Sequence, residues 1–385
     1  MTIIYMGLFI FALIALQGYL FKKFWDRGLT VNIKFSAKEA FEGEQIYLTQ
    51  DITNRKFLPL PWLFLSFHMS RNLIFLDEDT SADIPTKSKH DSDGKSQNEL
   101  FSVMMFQSVR RRVAFVCSRR GIYRFKRVTL TATNLMHSKQ FSKDFRSVNR
   151  LVVFPKIIDA SELEVLYKRM DAELLSHQLI NPDPFEFRGI REYQPTDPAH
   201  TVNFKATAIA QQLMVNIHAP ISSKRLHVIL NLESYTTYPD RELFEHSIRL
   251  AASVAGHYIN DNVNVAFTTN GQDLDLATRG GGGLVNLRGG ASTSHLYAIY
   301  EALARIDLTF KVTPMSEYIN SIMDYEAVYL IISAYHKNDL LDSFEGLRDR
   351  GGSGFMVIPY NSETGIGIDN NLLETEHIST LEVIV

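Results

Sequence analysis

A glycine-rich segment is the first candidate for chemistry in this chain of 385 residues. The stretch RGGGGLVNLRGG, from Arg279 to Gly290, has the composition of loops whose backbone amides cradle a phosphate. A phosphate-binding P-loop, however, follows a strand and ends in Gly-Lys-Ser/Thr, and this segment has neither feature. We therefore predict a flexible loop here rather than a nucleotide site.

Other catalytic patterns are also missing from the sequence. It contains no Gly-x-Ser-x-Gly elbow and no His-Glu-x-x-His helix, and its twelve histidines are dispersed without metal-ligand spacing. We expect no catalytic residues, no cofactor and no enzymatic activity. Carboxylates that are remote in sequence can still meet in the fold as an acid-base pair, so that possibility stays open.

The polar stretch GIREYQPTDPAHTVNFKATA, residues 189–208, is the next candidate. Asp197 precedes Pro198, a pair typical of a helix N-cap followed by the first helical position. Apolar residues then recur at helical spacing, at Val202, Ala206, Ile209 and Leu213. We predict a short helix that begins at this pair.

Three polar residues precede that helix: Arg191, Glu192 and Tyr193. We predict a loop in which Arg191 and Glu192 form an ion pair and the phenol of Tyr193 ties the loop to a sheet. Ligand contact by these residues is the alternative.

An apolar run opens the chain, and no charged side chain occurs from Thr2 to Phe21. Twenty helical residues at about 1.5 Å each span a hydrocarbon core of about 30 Å, so residues 1–28 are predicted to form a transmembrane anchor and its juxtamembrane segment. A cleaved signal peptide is the less favoured alternative. Lys22, Lys23 and Arg27 follow the run, which predicts that the bulk of the chain is cytoplasmic.

Residues 29–154 alternate between apolar and polar side chains, as half-buried antiparallel strands do. We predict an all-β sandwich with a long loop at 77–99, where apolar residues are scarce. Cys117 lies in one predicted strand and is expected to be a buried, inert thiol. Lysine and arginine number 40 against 43 acidic residues, so nothing indicates binding of nucleic acid.

The pattern changes after residue 154. Residues 155–220 contain a predicted helix and the polar stretch, and residues 221–385 alternate between apolar strands and amphipathic helices. Such alternation predicts an α/β, Rossmann-like domain with a parallel sheet covered on both faces. The final stretch HISTLEVIV can supply a last edge strand.

The polar stretch also carries a resemblance. Its residues follow a pattern that resembles the signature of domain-of-unknown-function family 58. The matching residues in this sequence are Arg191-Glu192-Tyr193, Asp197, Val202, Asn203, Phe204 and Thr207-Ala208. The likeness extends to RRGIY, LVVFPKI and GGASTSHLYAIYEALARI. The chain departs from the family at Thr196, His200, Phe204 and Ile209, where Gly, Arg, Trp and Arg are usual.

The resemblance implies a membrane-tethered protein with a β domain and a region similar to von Willebrand factor type A domains. Family members are often encoded beside MoxR-type AAA+ ATPases, so a partner of that class is expected. Metal-binding type A domains need an Asp-x-Ser-x-Ser loop, a Thr and a further Asp. The corresponding residues here are Asn231, Glu233, Tyr235, Thr293, Ala334 and Tyr335.

We read Asn231, Glu233, Tyr235 and Thr293 as a degenerate adhesion-site loop. We predict no standard metal site, although Glu233 could still hold a cation weakly. Two functional hypotheses follow. The first is a membrane-anchored, non-catalytic interaction or scaffold protein that docks a MoxR-type ATPase at the carboxyl ends of the strands of its type A-like domain. It would serve in the assembly or activation of membrane or envelope complexes. The second is a hydrolase or other enzyme of cell-envelope metabolism with an unrecognised carboxylate site.

Overall fold

The computed structural model describes residues 2–70, 72–75, 94–125, 128–134, 139–145, 149–180, 182–195, 197–220, 224–234, 240–273, 283–309, 312–360 and 377–382. Two compact units make up the chain, Met1–Lys156 and Ile157–Val385. They divide close to the boundary after residue 154 that the change in sequence pattern predicts.

The first unit begins with a helix, α1 (Thr2–Phe24). Its segment Ile4–Phe24 is long and apolar enough to cross a membrane. The last turn behaves differently from the rest, because Phe21 and Trp25 are buried in the β core of this unit. Their rings lie 5.7 and 6.3 Å from the ring of Phe141. The end of the helix is therefore part of the folded β unit.

Strands form the rest of the first unit, as predicted for an all-β region. They are β1 (Leu29–Phe35), β2 (Glu39–Phe41), β3 (Gln45–Asn54), β4 (Leu60–Ser70), β5 (Leu73–Phe75), β6 (Gly94–Val103), β7 (Ser108–Cys117), β8 (Gly121–Arg124), β9 (Val128–Thr133), β10 (Gln140–Phe145) and β11 (Arg150–Phe154).

Two four-stranded antiparallel sheets build a β-sandwich-like core, in the orders β1-β3-β7-β5 and β10-β9-β4-β6. Strands β3 and β4 alternate buried and less buried residues, which is the period of a sheet with one face on the core. A smaller sheet, β2-β11-β8, completes the unit. Cys117 is buried, and burial raises the pKa of its thiol to about 12, as expected for an inert cysteine.

The structure shortens the predicted loop at 77–99. Strand β6 already begins at Gly94 and pairs with β4 as far as Gly94 against Ser70. The prediction was wrong for residues 94–99, because the long antiparallel partner strand supplies hydrogen bonds that local composition does not reveal. Residues 77–93 lie outside the described part of the chain.

The second unit starts with α2 (Glu164–Ile180) and a two-stranded hairpin, β12 (Pro182–Glu192) with β13 (Met214–Pro220). Between these strands lie a short 3-10 helix, Ala199–Thr201, and α3 (Phe204–Ala210). We call residues 182–220 the arm. The sequence prediction of a loop at residues 191–192 was wrong, because Arg191 and Glu192 end β12, opposite Val215 and Met214.

The remaining elements follow the predicted alternation. They are β14 (Arg225–Asn231), α4 (Arg241–Asn260), β15 (Asn264–Thr269), β16 (Gln272–Asp273), β17 (Val285–Gly290), α5 (Thr293–Arg305), β18 (Ile306–Asp307), α6 (Met315–Asn320), β19 (Val328–Ser333), α7 (Asn338–Asp349), β20 (Ser353–Tyr360) and β21 (Ile378–Glu382).

Six of these strands form one sheet in the order β17-β15-β14-β19-β20-β21. All neighbours are parallel except the edge strand β17, which is antiparallel to β15. Ile229, Ile331 and Met356 face α6 and α7, with which they share a core cluster. Helix α4 contacts the same sheet and buries an apolar face, as expected for an amphipathic helix; this face includes Phe244, Ile248, Ala251, Ala255 and Tyr258.

The two edge strands of this sheet, β21 and β17, test two sequence predictions. Strand β21 confirms the edge strand expected from HISTLEVIV. The loop expected at 279–290 was wrong for Val285–Gly290, which form β17 because β15 offers them a free sheet edge. Arg279 and the first three glycines after it lie outside the described residues.

Candidate functional site

The carboxyl edge of the six-stranded sheet is the first place where a site is expected. Strand β14 is the first of the sheet in the chain, and it lies between β15 and β19. The strand order therefore reverses at β14, and in open parallel sheets such a reversal leaves a crevice at the carboxyl ends. The residues that end or follow these three strands are Asn231, Asn270 and Ser333, and all three are fully buried.

These three polar side chains form one hydrogen-bonded network. The Nδ2 group of Asn231 donates to Ser333 Oγ at 3.0 Å and to Glu233 Oε2 at 3.0 Å. The Nδ2 group of Asn270 donates to Asn231 Oδ1 at 2.7 Å and to the carbonyl of Thr313 at 2.9 Å. The network thus links β14, β15 and β19 to the loop before α6.

Backbone amides fix the orientation of both side-chain amides. The N–H of Leu232 donates to Asn270 Oδ1 at 2.8 Å, and the N–H of Glu233 donates to Asn231 Oδ1 at 3.1 Å. A backbone N–H is only a donor, so each of these contacts identifies the side-chain oxygen. The opposite end of each amide must then be the NH₂ group that points into the network.

Glu233 is the acidic residue nearest this network. Its carboxylate accepts hydrogen bonds from Asn231 and from the backbone N–H of Met315, the first residue of α6. Burial raises the pKa of Glu233, the charge of Asp339 raises it further, and the two hydrogen bonds oppose these effects. The hydroxyl of Tyr335 donates to both oxygens of Asp339 at 3.2 Å.

In this arrangement the side-chain oxygens of Asn231 and Ser333 already accept hydrogen bonds. A metal needs free oxygen lone pairs, but Asn231 Oδ1 already accepts from Asn270 at 2.7 Å and from Glu233 N–H at 3.1 Å. Ser333 Oγ accepts from Asn231 and from Tyr335 N–H, and it donates to the carbonyl of Tyr335 at 2.6 Å. Among the described residues, no group of three His, Cys, Asp or Glu side chains comes together as a metal site.

The structure separates Thr293 from this edge. Gly290, at the end of β17, pairs with Val265 near the start of β15, so Thr293 lies at the opposite edge of the sheet. Thr293 is exposed and begins α5, whose N-cap is its neighbour Ser292. Ala334 is buried beside Ser333. Tyr235 lies outside the described residues.

The arm is the second place where polar residues of the sequence come together. Arg191 and Asp197 form a two-pronged ion pair with distances of 2.6 and 2.5 Å, and Asp197 also accepts from the N–H of Gln194 at 2.8 Å. The hydrogen bond from Arg191 lowers the pKa of Asp197. Because the pKa of Asp197 is lowered in the folded arm, its ionised carboxylate stabilises the arm at pH values above the ordinary pKa of aspartate. This stabilisation is lost as the pH falls through the lowered pKa of the folded state.

This geometry corrects two predictions. Arg191 pairs with Asp197 and not with Glu192, whose carboxylate accepts from Gln212 at 2.6 Å. Adjacent strand residues point to opposite faces, so Arg191 and Glu192 cannot easily meet. Asp197 caps no helix, because Arg191 and Gln194 occupy its oxygens.

Asn203 performs the capping role instead. Its Oδ1 accepts from the N–H of Ala206 at 2.9 Å, and its Nδ2 donates to Asn216 Oδ1 on β13 at 2.7 Å. Thr207 holds the other side of α3 through a 3.0 Å hydrogen bond from the N–H of Met214. Tyr193 adds a backbone hydrogen bond to Leu213 of 2.8 Å. These polar groups fold the arm. Position 196 of the family signature lies outside the described residues.

Apolar side chains on the arm remain in solvent. Helix α3 has no buried residue, and Phe204 and Ile209 are 80% and 77% exposed. Phe187 and Ile190 on β12 and Leu213 before β13 are also exposed. Exposed apolar side chains are typical of surfaces that bind another molecule where they form a contiguous patch. We call Phe204, Ile209 and Leu213 the arm patch.

Comparisons with known proteins give no family. No family model matches the chain, and no curated protein matches it. Solved structures align only weakly. One is an Escherichia coli alpha-2-macroglobulin structure that begins at domain MG7, with 11% identity over 34% of this chain and a TM-score of 0.25. The aligned part spans 24% of that macroglobulin structure.

Two other solved structures align at a similar level. The CARDB domain of a Pyrococcus furiosus protein is 12% identical over 32% of this chain and 91% of its own length, with a TM-score of 0.20. The sporulation control protein Spo0M from Bacillus subtilis is 10% identical over 43% of this chain and 58% of its own, with a TM-score of 0.18. Scores this low carry no argument about function.

Sequence reasoning did not identify Asn270, Ser333 and the carbonyl of Thr313 as parts of the buried network. A signal was present for two of them, since the apolar strands VNVAFTT and VYLIIS end at or next to a polar residue. Polar residues at the ends of neighbouring parallel strands meet at one edge of a sheet. Thr313 contributes through its backbone, so its side-chain type carries no such signal.

Proposed function

We propose that this protein is a membrane-anchored, non-catalytic scaffold that docks a partner protein through the arm patch. In this proposal α1 is the anchor, the bulk of the chain is cytoplasmic, and the partner is a MoxR-type AAA+ ATPase. The protein would then serve in the assembly or activation of membrane or envelope complexes.

The exposure of the arm patch carries the proposal. A seven-residue helix that buries none of its side chains gains little from hydrophobic packing. The arm is nevertheless held by an ion pair, an Asn cap and an amide pair between β13 and the helix start. A rigid element that presents Phe204 and Ile209 to solvent has the form of a protein-binding surface, because such anchors lose little conformational freedom on binding.

Two further observations support the class of protein. If the six strands of the sheet are numbered 1 to 6 in the order in which they occur in the chain, their order across the sheet is 3-2-1-4-5-6. Doubly wound α/β folds use this strand order. This order is consistent with a type A-like domain. The residues Arg191, Asp197, Asn203 and Thr207 of the family 58 pattern all take part in folding the arm, which gives that resemblance a physical basis.

The carboxyl edge supports a non-catalytic role. Asn231, Asn270 and Ser333 hydrogen-bond one another, so their polar groups are engaged inside the protein. The enzymatic alternative would rest on Glu233, whose pKa is raised, together with Asp339. The carboxylate of Glu233 already accepts hydrogen bonds from Asn231 and from the N–H of Met315. These bonds compete with any contact between Glu233 and a substrate.

Co-purification tests the proposal. Full-length protein is recovered from detergent-solubilised membranes, and the MoxR-type ATPase that comes with it is quantified by mass spectrometry. Ile209→Ser and Phe204→Ser should each reduce its recovery, because they remove exposed apolar area from the arm patch. Met323→Ser is the matched control, since Met323 is also 77% exposed on the same unit but lies outside the arm.

The proposal fails if recovery of the ATPase is the same for the two patch variants and the Met323 control. Equal losses in all three variants would show a general effect of surface polarity instead of a docking surface. Loss of a carbohydrate- or peptide-cleaving activity in Glu233→Gln, with unchanged ATPase recovery, would support the enzymatic alternative.

A further inference from the structure

The strand register of the first unit brings several turns to the same end of the sandwich as α1. Leu29, the first residue of β1, pairs with Asn54 at the end of β3. The start of β7, Ser108, pairs with Thr53. The β3-β4 turn and the β6-β7 turn therefore both lie where the helix enters the β unit.

Hydrogen bonds join these turns directly to the helix end. The ammonium group of Lys56 donates to the carbonyl of Trp25, and the N–H of Arg55 donates to the carbonyl of Gly28 at 2.9 Å. Burial lowers the pKa of Lys56 to about 8. The N–H of Phe106 donates to the carbonyl of Lys56 at 3.3 Å, so the second turn is attached through the first.

Four large apolar side chains occupy the tips of these turns and remain exposed. Phe57 is 78% exposed, and its ring meets that of Phe106 edge to face with centroids 4.7 Å apart. Met104 and Met105 beside them are also exposed. We call Phe57, Met104, Met105 and Phe106 the apolar tip.

The backbone of the apolar tip is held in place. Phe106 has a φ of 54°, in the left-handed region that a large side chain rarely adopts. Asn54 fixes this turn, because its side-chain amide donates to the carbonyl of Met104 at 2.9 Å and its backbone N–H donates to the carbonyl of Gln107 at 2.9 Å. Strain of this kind persists only where the surroundings impose it and is concentrated at functional surfaces.

The helix places a bilayer beside this tip. From Thr2 to Phe21, α1 has twenty residues, which cover the hydrocarbon thickness of about 30 Å. Phe21 is buried in the β unit, so the end of the sandwich that receives it lies at the membrane surface. Lys22, Lys23, Arg27 and Arg55 are exposed at this same end and favour anionic headgroups.

We propose that the apolar tip inserts into the lipid headgroup and acyl boundary next to α1 and seats the β unit on the membrane. This inference rests on the proposal that α1 spans the bilayer. The occupant is lipid, because the anchor holds a bilayer against this end of the unit, and aromatic and methionine side chains flanked by cations suit the interface.

Depth-dependent quenching tests the inference on the full-length protein in nanodiscs of phosphatidylcholine and phosphatidylglycerol. Phe57→Cys and Phe106→Cys each receive an environment-sensitive fluorophore, and lipids with spin labels near the headgroup serve as quenchers. The native Cys117 is fully buried, and unsubstituted protein measures any background labelling. The fluorophore at each tip position should be quenched by the spin-labelled lipids, and its emission maximum should shift to shorter wavelength.

Two control positions make the outcomes distinguishable. Tyr47→Cys is exposed at the far end of the sandwich, about 20 Å along β3 from the tip, and should not be quenched. Phe11→Cys lies exposed in the middle of α1 and should be quenched by lipids labelled deep in the acyl chain. Quenching at Phe11 without quenching at either tip position would overturn the inference and leave the anchor intact. No quenching at Phe11 would overturn the anchor and the inference together.

Discussion

The carboxyl edge of the sheet and the arm are both rich in polar residues, yet they use them in opposite ways. At the edge, Asn231, Asn270 and Ser333 turn inward and satisfy one another in a fully buried network. In the arm, Arg191 and Asp197 fold a small element whose apolar side chains face solvent. The edge looks like a site by its position in the fold, whereas the arm looks like one by what it exposes.

Under the proposed function, this difference indicates which observation marks a binding surface. A switch in strand order provides a crevice, but the crevice binds only if its polar groups have unused hydrogen-bonding capacity. At the edge that capacity is consumed inside the protein. Under the proposed function, exposed apolar area such as that of α3 is the stronger indication of binding.

The largest effect is expected when the network at the edge loses a member. Asn270→Ala removes the partners of Leu232 N–H and the Thr313 carbonyl, and one of the two donors to Asn231 Oδ1. Each buried group left unpaired costs about 1–3 kcal/mol, so we expect a loss of about 3 kcal/mol or more in the stability of the α/β unit. Native-state hydrogen exchange of the β14 and β15 amides measures it.

Asn286→Ala is the control for this experiment. Asn286 lies exposed on β17 of the same sheet, and its replacement should change stability by no more than about 0.5 kcal/mol. Equal exchange rates in the two variants would mean that the network does not hold the edge together, and the contrast between edge and arm would disappear.

A smaller effect is expected in the arm. Asn203→Ala removes the cap of α3 and the link to Asn216, and loss of such a cap costs about 1 kcal/mol. Faster exchange of the α3 amides, with β14 unaffected, is the expected result because the arm opens locally. Lys205→Ala changes an exposed residue of the same helix and should leave exchange nearly unchanged. Equal protection in both variants would show that Asn203 does not position the arm patch.

The smallest effect is expected from metal. Millimolar Mg²⁺ or a chelator should leave the melting temperature of the full-length protein unchanged, since the oxygens of Asn231 and Ser333 are already engaged. A ligand specific for the native state and present at a hundredfold excess over its Kd would add about 2.7 kcal/mol. A rise in melting temperature with Mg²⁺ that Glu233→Ala abolishes would mean that the edge opens to bind a cation.

The sequence pattern predicted the order of elements better than their contacts. Alternation of apolar strands and amphipathic helices predicted the parallel sheet, the buried face of α4 and the edge strand β21. The helix-start pattern at Asp197 was misleading, because Arg191, at the end of β12, captures this carboxylate. Strand β12 is itself held by its pairing with β13, which begins at Met214. Pairing between remote strands is decided by tertiary packing and leaves only a weak local signal.

The same limit applies to the arm patch. The helical spacing of Val202, Ala206, Ile209 and Leu213 predicts an apolar face that packs inward, as such faces do in most globular proteins. The structure ends α3 at Ala210 and leaves Ile209 exposed. Periodicity identifies an apolar face, but whether the chain itself covers that face depends on elements elsewhere in the fold.

The burial of Phe21 and Trp25 has a mechanical consequence. Lys143 also forms an ion pair with Asp26 at 2.9 Å, so the segment between α1 and β1 is held against the β unit. This segment is therefore not a flexible hinge. Transmembrane helices tilt to match their apolar length to the thickness of the bilayer. In a membrane, a change in thickness that tilts α1 would rotate the β unit through the same angle, and the helix would act as a lever.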